Sequence, residues 1–251
     1  MTKEEALTAW KDLGRKIQDV AVQVSEEADP HDDNGENSII KLWAIALLCR
    51  STNNFVGMQL LLGDSLIVEA RTLVRCVYEN LFRVGYLVSE GYEAVKIWLL
   101  DHDAANKAVG NELQQWAKDH EVEEVEEFAQ FMADLNGKKI PKSGMQTQAI
   151  AAGLKEHYIT YRMLSADAAH PTARVLSRHA RQESDGSLTI SGASFWTDDD
   201  EESETWALAC LALLFICLGV NKIVGSSFQE ALEQLSAECS KLHADTLAMQ
   251  C

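Results

Sequence analysis

Apolar residues recur at intervals of three and four along most of the chain, prolines are rare, and leucine, alanine and glutamate dominate. That is the pattern of helix after helix. Residues 3–28 carry Leu7, Trp10, Leu13, Ile17, Val20 and Val24 on one face, and this helix must end by Pro30, because proline disfavours helical geometry in the residue before it. The turn-rich stretch His31 to Asn37 follows, with Asn37 or Ser38 as the expected N-cap of a second helix running to about Leu62. Gly63 and Asp64 read as a stop and a new cap. A third helix is therefore expected from Ser65 to about Ser89, antiparallel to the second.

Helix-like patterns continue at Tyr92 to Asn106, Asn111 to His120 and Val122 to Leu135, up to the loop NGKKIPKSG at 136–144. The next helix spans Met145 to Ala169 and stops there, since Pro171 follows His170. From Arg174 to Trp196 the pattern changes to partial alternation about Ser184, Asp185 and Gly186, which predicts a small β-hairpin within an insertion over about 172–196. The acidic block Asp198 to Glu204 opens an apolar helix near Thr205, where carboxylates suit the positive end of the helix dipole. A final helix runs from Ser227 to Ala248, with Phe228, Leu232, Leu235, Cys239 and Leu242 on one face. The expected fold is all-α: a multi-helix bundle of about seven to nine helices with one small β-hairpin, forming a single domain over residues 1–251.

Composition adds the class and the compartment. With 251 residues, 47% of them apolar and 24% charged, the chain can bury a real core and is too apolar to be disordered. Its net charge of -17 opposes non-specific attraction to phosphate backbones and anionic lipid, so any nucleic-acid role needs a local basic stripe. The first residues, MTKEEALTAWKDL, lack the apolar core of an export signal. The longest charge-free apolar run, Trp206 to Val220, falls short of the ~20 residues that cross a bilayer. A cytoplasmic protein without membrane contact is the expectation. Six cysteines lie scattered without a CxxC pair, mostly in apolar runs, and read as reduced thiols. The stretch Thr205 to Val224 is apolar nearly all round and must be covered by something, which makes a homo-oligomer, a dimer in the simplest case, a further expectation.

Common catalytic signatures are missing: no Gly-rich phosphate loop follows a strand, and there is no HExxH or GxSxG. His102, Asp103 and His120 have no ligand spacing, so neither a metal nor a cofactor is expected. Two helices nevertheless carry polar groups in rows. On the third, Arg71, Arg75 and Glu79 stand at i, i+4 and i+8, opposite an apolar stripe of Ala70, Leu73, Val77, Leu81 and Val84, and Arg83 roughly extends the row. One reading is a solvent-facing ionic ladder worth about 0.2 to 0.5 kcal/mol per pair. The other is a semi-buried row offering forked donors to a carboxylate or phosphate, with Glu79 holding Arg75 in place.

On the later helix, Tyr161 and Ser165 lie one turn apart, Arg162 and Asp167 are near them in sequence, and His170 falls at the helix end. A histidine there feels the negative end of the helix dipole, which favours its protonated form. That suits an acid/base or anion-contacting role, or simple C-capping.

The stretches over residues 47–87 and 158–176 resemble a bacterial domain-of-unknown-function family, number 5677, which pairs an Ala-Arg-x-x-x-Arg-x-x-x-Glu helix with a Tyr-x-x-x-Ser-x-x-x-x-His helix end. Here those positions are Ala70, Arg71, Arg75 and Glu79, then Tyr161, Ser165 and His170. The resemblance implies a mostly helical domain in which the two polar rows meet. More distantly, Arg162 and His170 resemble the Arg and His of HEPN nucleotide-binding and ribonuclease domains, which cut RNA without metal. The seven residues between them are a longer spacing than that motif has. Two function classes follow. In one, Arg71, Arg75, Glu79, Tyr161, Arg162, Ser165 and His170 bind RNA or a small phosphate-bearing ligand, with His170, Arg75 and Glu79 in the catalytic roles of a toxin-like or phage-defence ribonuclease. In the other, the cluster pins two helices together and the chain is a non-enzymatic module for a protein partner.

Overall fold

The computed structural model describes residues 1–30, 35–123, 125–138, 143–166, 173–191 and 199–248. These hold ten helices and one two-stranded antiparallel hairpin, so the fold is the all-α bundle that the periodicity predicts. Helix α1 (Lys3–Glu27) opens on a capping box in which the Thr2 side chain accepts from the Glu5 N–H and the Glu5 carboxylate accepts from the Thr2 N–H. It buries Trp10, Leu13, Ile17 and Val24, four of the six residues in the predicted stripe. Helices α2 (Glu36–Gly63) and α3 (Ile67–Glu90) form the antiparallel pair expected from their short connection.

Helix α9 (Asp199–Val224) is the centre of the core. It packs against α1, α2, α3 and the last helix, α10 (Gln229–Ala248). The covering that its composition demands thus comes from four helices of the same chain. Its segment Asp200–Val224 is long and apolar enough to cross a membrane by length and composition, and a little over half of its most apolar window is buried inside the bundle. Cys210 and Cys217 are fully buried there, and burial pushes the Cys217 thiol up to about 12. Cys49, Cys76, Cys210, Cys217 and Cys239 are free thiols.

Several boundaries differ from the sequence reading, each for a local reason. The N-cap of α2 is Gly35 rather than Asn37 or Ser38, and the Ser38 hydroxyl instead donates to the Pro30 carbonyl at 2.6 Å. Asp64 caps the end of α2, while Leu66 starts α3. Tyr92 to Asp119 is one continuous helix, α4, because Gly110 is accommodated in its interior against Met132 of α5 (Glu126–Gly137). The single helix expected over Met145 to Ala169 is broken into α6 (Met145–Ala151) and α7 (Lys155–Leu164). Gly153, at φ +71°, supplies the left-handed residue that ends α6, with the Leu154 N–H donating back to the Ala149 carbonyl at 2.8 Å. A short helix, α8 (Ala173–Ser177), precedes the hairpin β1 (Ala180–Gln182) and β2 (Leu188–Ile190). The acidic block falls inside the first turns of α9 rather than before them. The fusion of two expected segments into α4, the split of one helix into α6 and α7 and the extra α8 together give ten helices where about seven to nine were expected.

The break after α6 positions the candidate site. It lets α7 cross α3, and Gly85 of α3 is where the turn touches down: a Cβ there would lie 2.7 Å from Ala152 Cβ and 3.0 Å from Leu154 Cδ1. Gln148 of α6, fully buried, accepts from the Trp98 indole N–H and donates to the Ser143 carbonyl, which fixes α6 against α4.

Candidate functional site

Helix α3 is buried on most of its circumference, so its polar row is covered rather than solvent-facing. The row divides between two neighbours. Arg75 faces α7: its Nε donates to Ser165 Oγ at 2.9 Å, and its Nη2 donates to Glu79 Oε1 at 2.8 Å and to the Tyr161 hydroxyl at 3.2 Å. The Tyr161 hydroxyl donates to Glu79 Oε1 at 3.1 Å, and Ser165 Oγ donates to the Tyr161 carbonyl at 2.8 Å. The guanidinium also lies 5.3 Å from the centre of the Tyr161 ring. The pair at i, i+4 on α3 thus meets Tyr161 of α7 and Ser165 at its C-cap, as the family resemblance implied, and the four side chains close one network.

Arg71, one turn earlier, belongs to a different cluster. It is almost wholly buried, and its Nη1 donates to Glu204 Oε2 at 2.9 Å and to Thr205 Oγ1 at 3.4 Å, with Glu201 at 3.8 Å. Glu201 also pairs with the buried Arg178 at 2.6 Å. This is a structural ion network that ties α3 and the segment after α8 to the first turns of α9. Sequence reasoning missed Arg178, Glu201 and Glu204 as partners, although the acidic block at the start of an apolar helix was a signal that cations had to meet it.

Arg162 is exposed in the last turn of α7 and takes no part in the Arg75 network. Asp167 and His170 lie outside the described residues. Arg83 turns toward α4, where its guanidinium stands 5.5 Å from the Trp98 ring centre. Burial lowers its pKa, against the opposing pull of Asp101 and Glu79. Of the residues weighed and set aside as metal ligands, Asp103 pairs with Lys138 and His120 stacks on Trp116.

The electrostatics of Arg75 follow from its setting. Burial would lower its pKa, but the Glu79 carboxylate and the Tyr161 hydroxyl outweigh that, and it is held above the ordinary arginine value. Its side chain is 21% exposed, Glu79 is 26% exposed, and Nη1 takes part in none of the network's bonds among the described residues. A fixed, charged fork therefore retains a donor for an acceptor arriving from solvent. Cys76 beside it is half-buried, and burial together with Glu79 pushes its thiol up, which keeps it a poor nucleophile.

The model of a family of unknown function, DUF5677, matches residues 41–187, which include both polar helices and the hairpin's turn. No curated protein and no solved structure matches the chain.

Proposed function

We propose that the chain, which belongs to the family of unknown function DUF5677, binds a phosphate-bearing ligand at the Arg75 network between α3 and α7. The observation that carries this reading is the state of Arg75: three partners fix its guanidinium, yet Nη1 is unspent and about a fifth of the side chain meets solvent. A phosphate oxygen accepting from Nη1 would approach the edge of the fork away from Glu79, Tyr161 and Ser165, which hold the other two nitrogens in place. In a chain of net charge -17, one prepaired arginine favours a small ligand or a short single-stranded segment over a long duplex track.

The more specific form of this proposal is a metal-independent, HEPN-like ribonuclease of toxin or phage-defence type, acting in the cytoplasm. It assigns His170 as the general acid/base and Arg75 as the group that stabilises developing negative charge. The test is induced expression of the wild type beside His170→Ala and Arg75→Ala, scoring growth and total RNA integrity with soluble yield as the folding control. Growth arrest and cleaved RNA in the wild type alone, at equal yields, support the ribonuclease. Intact RNA in all three removes that specific form and leaves phosphate binding to be judged by titration.

A further inference from the structure

The second half of α4 projects from the bundle as an arm. The buried residues of α4 are Ala94, Val95 and Trp98 near its start and then only Gly110, and the partner there is α5. Helix α5 buries Met132 and Leu135 outside the main core cluster, so arm and bundle have separate cores. The arm's own packing is close, since a Cβ at Gly110 would lie 2.1 Å from Met132 Sδ.

The arm's outer face is apolar. Leu99, Val109, Leu113 and Trp116 are each half or more exposed, and the last three follow one another at four and three residues, the spacing of a helix-pairing seam. Where α4 gives way to α5 the seam opens into a groove of about 260 Å³ lined by Leu113, Trp116, Ala117, Val122, Val125 and Phe128. Glu123 and Lys118 also line it, and the lining positions from Lys118 to Phe128 are interleaved in the chain with Asp119, Glu121, Glu126 and Glu127, all exposed. An apolar groove whose walls come from so acidic a stretch of chain selects its occupant by charge. A second copy of the same arm would bring the same acidic stretch against itself, in a chain already at -17.

We propose that the tip of the α4–α5 arm docks a basic amphipathic helix of a protein partner, its apolar face in the groove and its lysines or arginines on the acidic stretch. The site is separate from the Arg75 network and does not depend on ligand binding there.

The test is fluorescence anisotropy of the full chain with a labelled synthetic peptide of leucine and lysine, about 18 residues and thus five helical turns long, patterned so that leucines fill one face. A peptide of the same composition with the pattern scrambled is the control for bulk charge. The wild type should bind the patterned peptide at least about tenfold more tightly than the scrambled one. Leu113→Asp, at a half-exposed position, should erase that difference, and Glu123→Lys with Glu127→Lys should weaken the patterned peptide about tenfold or more. Equal binding of the two peptides, or no loss in Leu113→Asp with an unchanged circular dichroism spectrum, would overturn the proposal. So would a concentration-dependent dimer of the wild type that Leu113→Asp dissolves, since the groove's occupant would then be a second copy.

Discussion

Arg71 and Arg75 stand one turn apart on α3, and each is bound to a different helix: Arg71 to the acidic first turns of α9, Arg75 to Tyr161 and Ser165 of α7. The same residue type at the same spacing thus has two tasks, and burial separates them. Arg71 is the deeper, at 5% exposure, while Arg75 retains contact with solvent. Arg71→Ala removes a buried side chain and its charged hydrogen bond to Glu204, while Glu201 keeps Arg178 and Glu204 still reaches solvent, and should destabilise the fold by about 2 kcal/mol. Arg75→Ala breaks a network that solvent still reaches and should cost about 1 kcal/mol. Urea unfolding of the two variants side by side checks the difference, and equal costs would argue against it.

Tyr161 contributes a ring and a hydroxyl, and only the hydroxyl links Arg75 to Glu79. Tyr161→Phe keeps the ring against Phe82 and Tyr158 and should cost only about 1 kcal/mol in stability. Affinity for a phosphate ligand should fall because the fork is less firmly held. Calorimetric melting and ligand titration on the same preparation separate the two effects. Unchanged affinity would show that the hydroxyl has no role in positioning Arg75.

Gly85 sets the distance between α3 and the α6–α7 turn. Gly85→Val places methyl groups where Ala152 and Leu154 already stand, and should destabilise by about 2 kcal/mol. It should also displace α7, so that ligand affinity falls together with stability although residue 85 touches no ligand. A variant that melts early but binds normally would mean that the site does not depend on this seat.

His157 of α7 supplies the pH dependence. It packs between Tyr78 and Phe215, with ring centres 6.3 and 5.3 Å away, and burial lowers its pKa below the ordinary 6.5, opposed by Glu156. The folded state therefore favours the neutral ring. Its contribution is fully present above pH 6.5, the unfolded value, and is lost as pH falls from there toward the depressed folded value. The melting temperature of His157→Phe should fall less than that of the wild type between pH 7 and pH 5, a range chosen to bracket an ordinary histidine at about 6.5. Parallel curves would remove His157 as the source.

The parts of this arrangement legible in the sequence are those that rest on local periodicity. The stripes of α1 and α10, the α2–α3 pair and the turn at Ser184 to Gly186 follow from spacing and turn chemistry within a few residues. The meeting of Arg75, Glu79, Tyr161 and Ser165 was implied by the family resemblance of the two helices, whereas the i, i+4 spacing of each row left a solvent-facing ladder equally open. Hidden from the sequence were contacts that depend on how whole helices cross. Nothing local tells Arg71 that its partners lie more than a hundred residues away on α9, or tells Arg162 that it will face solvent. The break at Gly153 was missed for a related reason: one glycine in a helical pattern is tolerated unless the tertiary fold draws it into the left-handed region, as the seat on Gly85 does here.

The most direct test of the central claim is isothermal titration of the full chain with inorganic phosphate and with a short single-stranded RNA, for the wild type, Arg75→Lys and Arg75→Ala. The account predicts saturable binding to the wild type, weakened about tenfold by lysine, which lacks the fork, and lost in alanine while the fold persists. Absence of saturable binding of either probe to the wild type, or equal binding to all three proteins, would contradict it and leave the Arg75 network as a clamp between two helices.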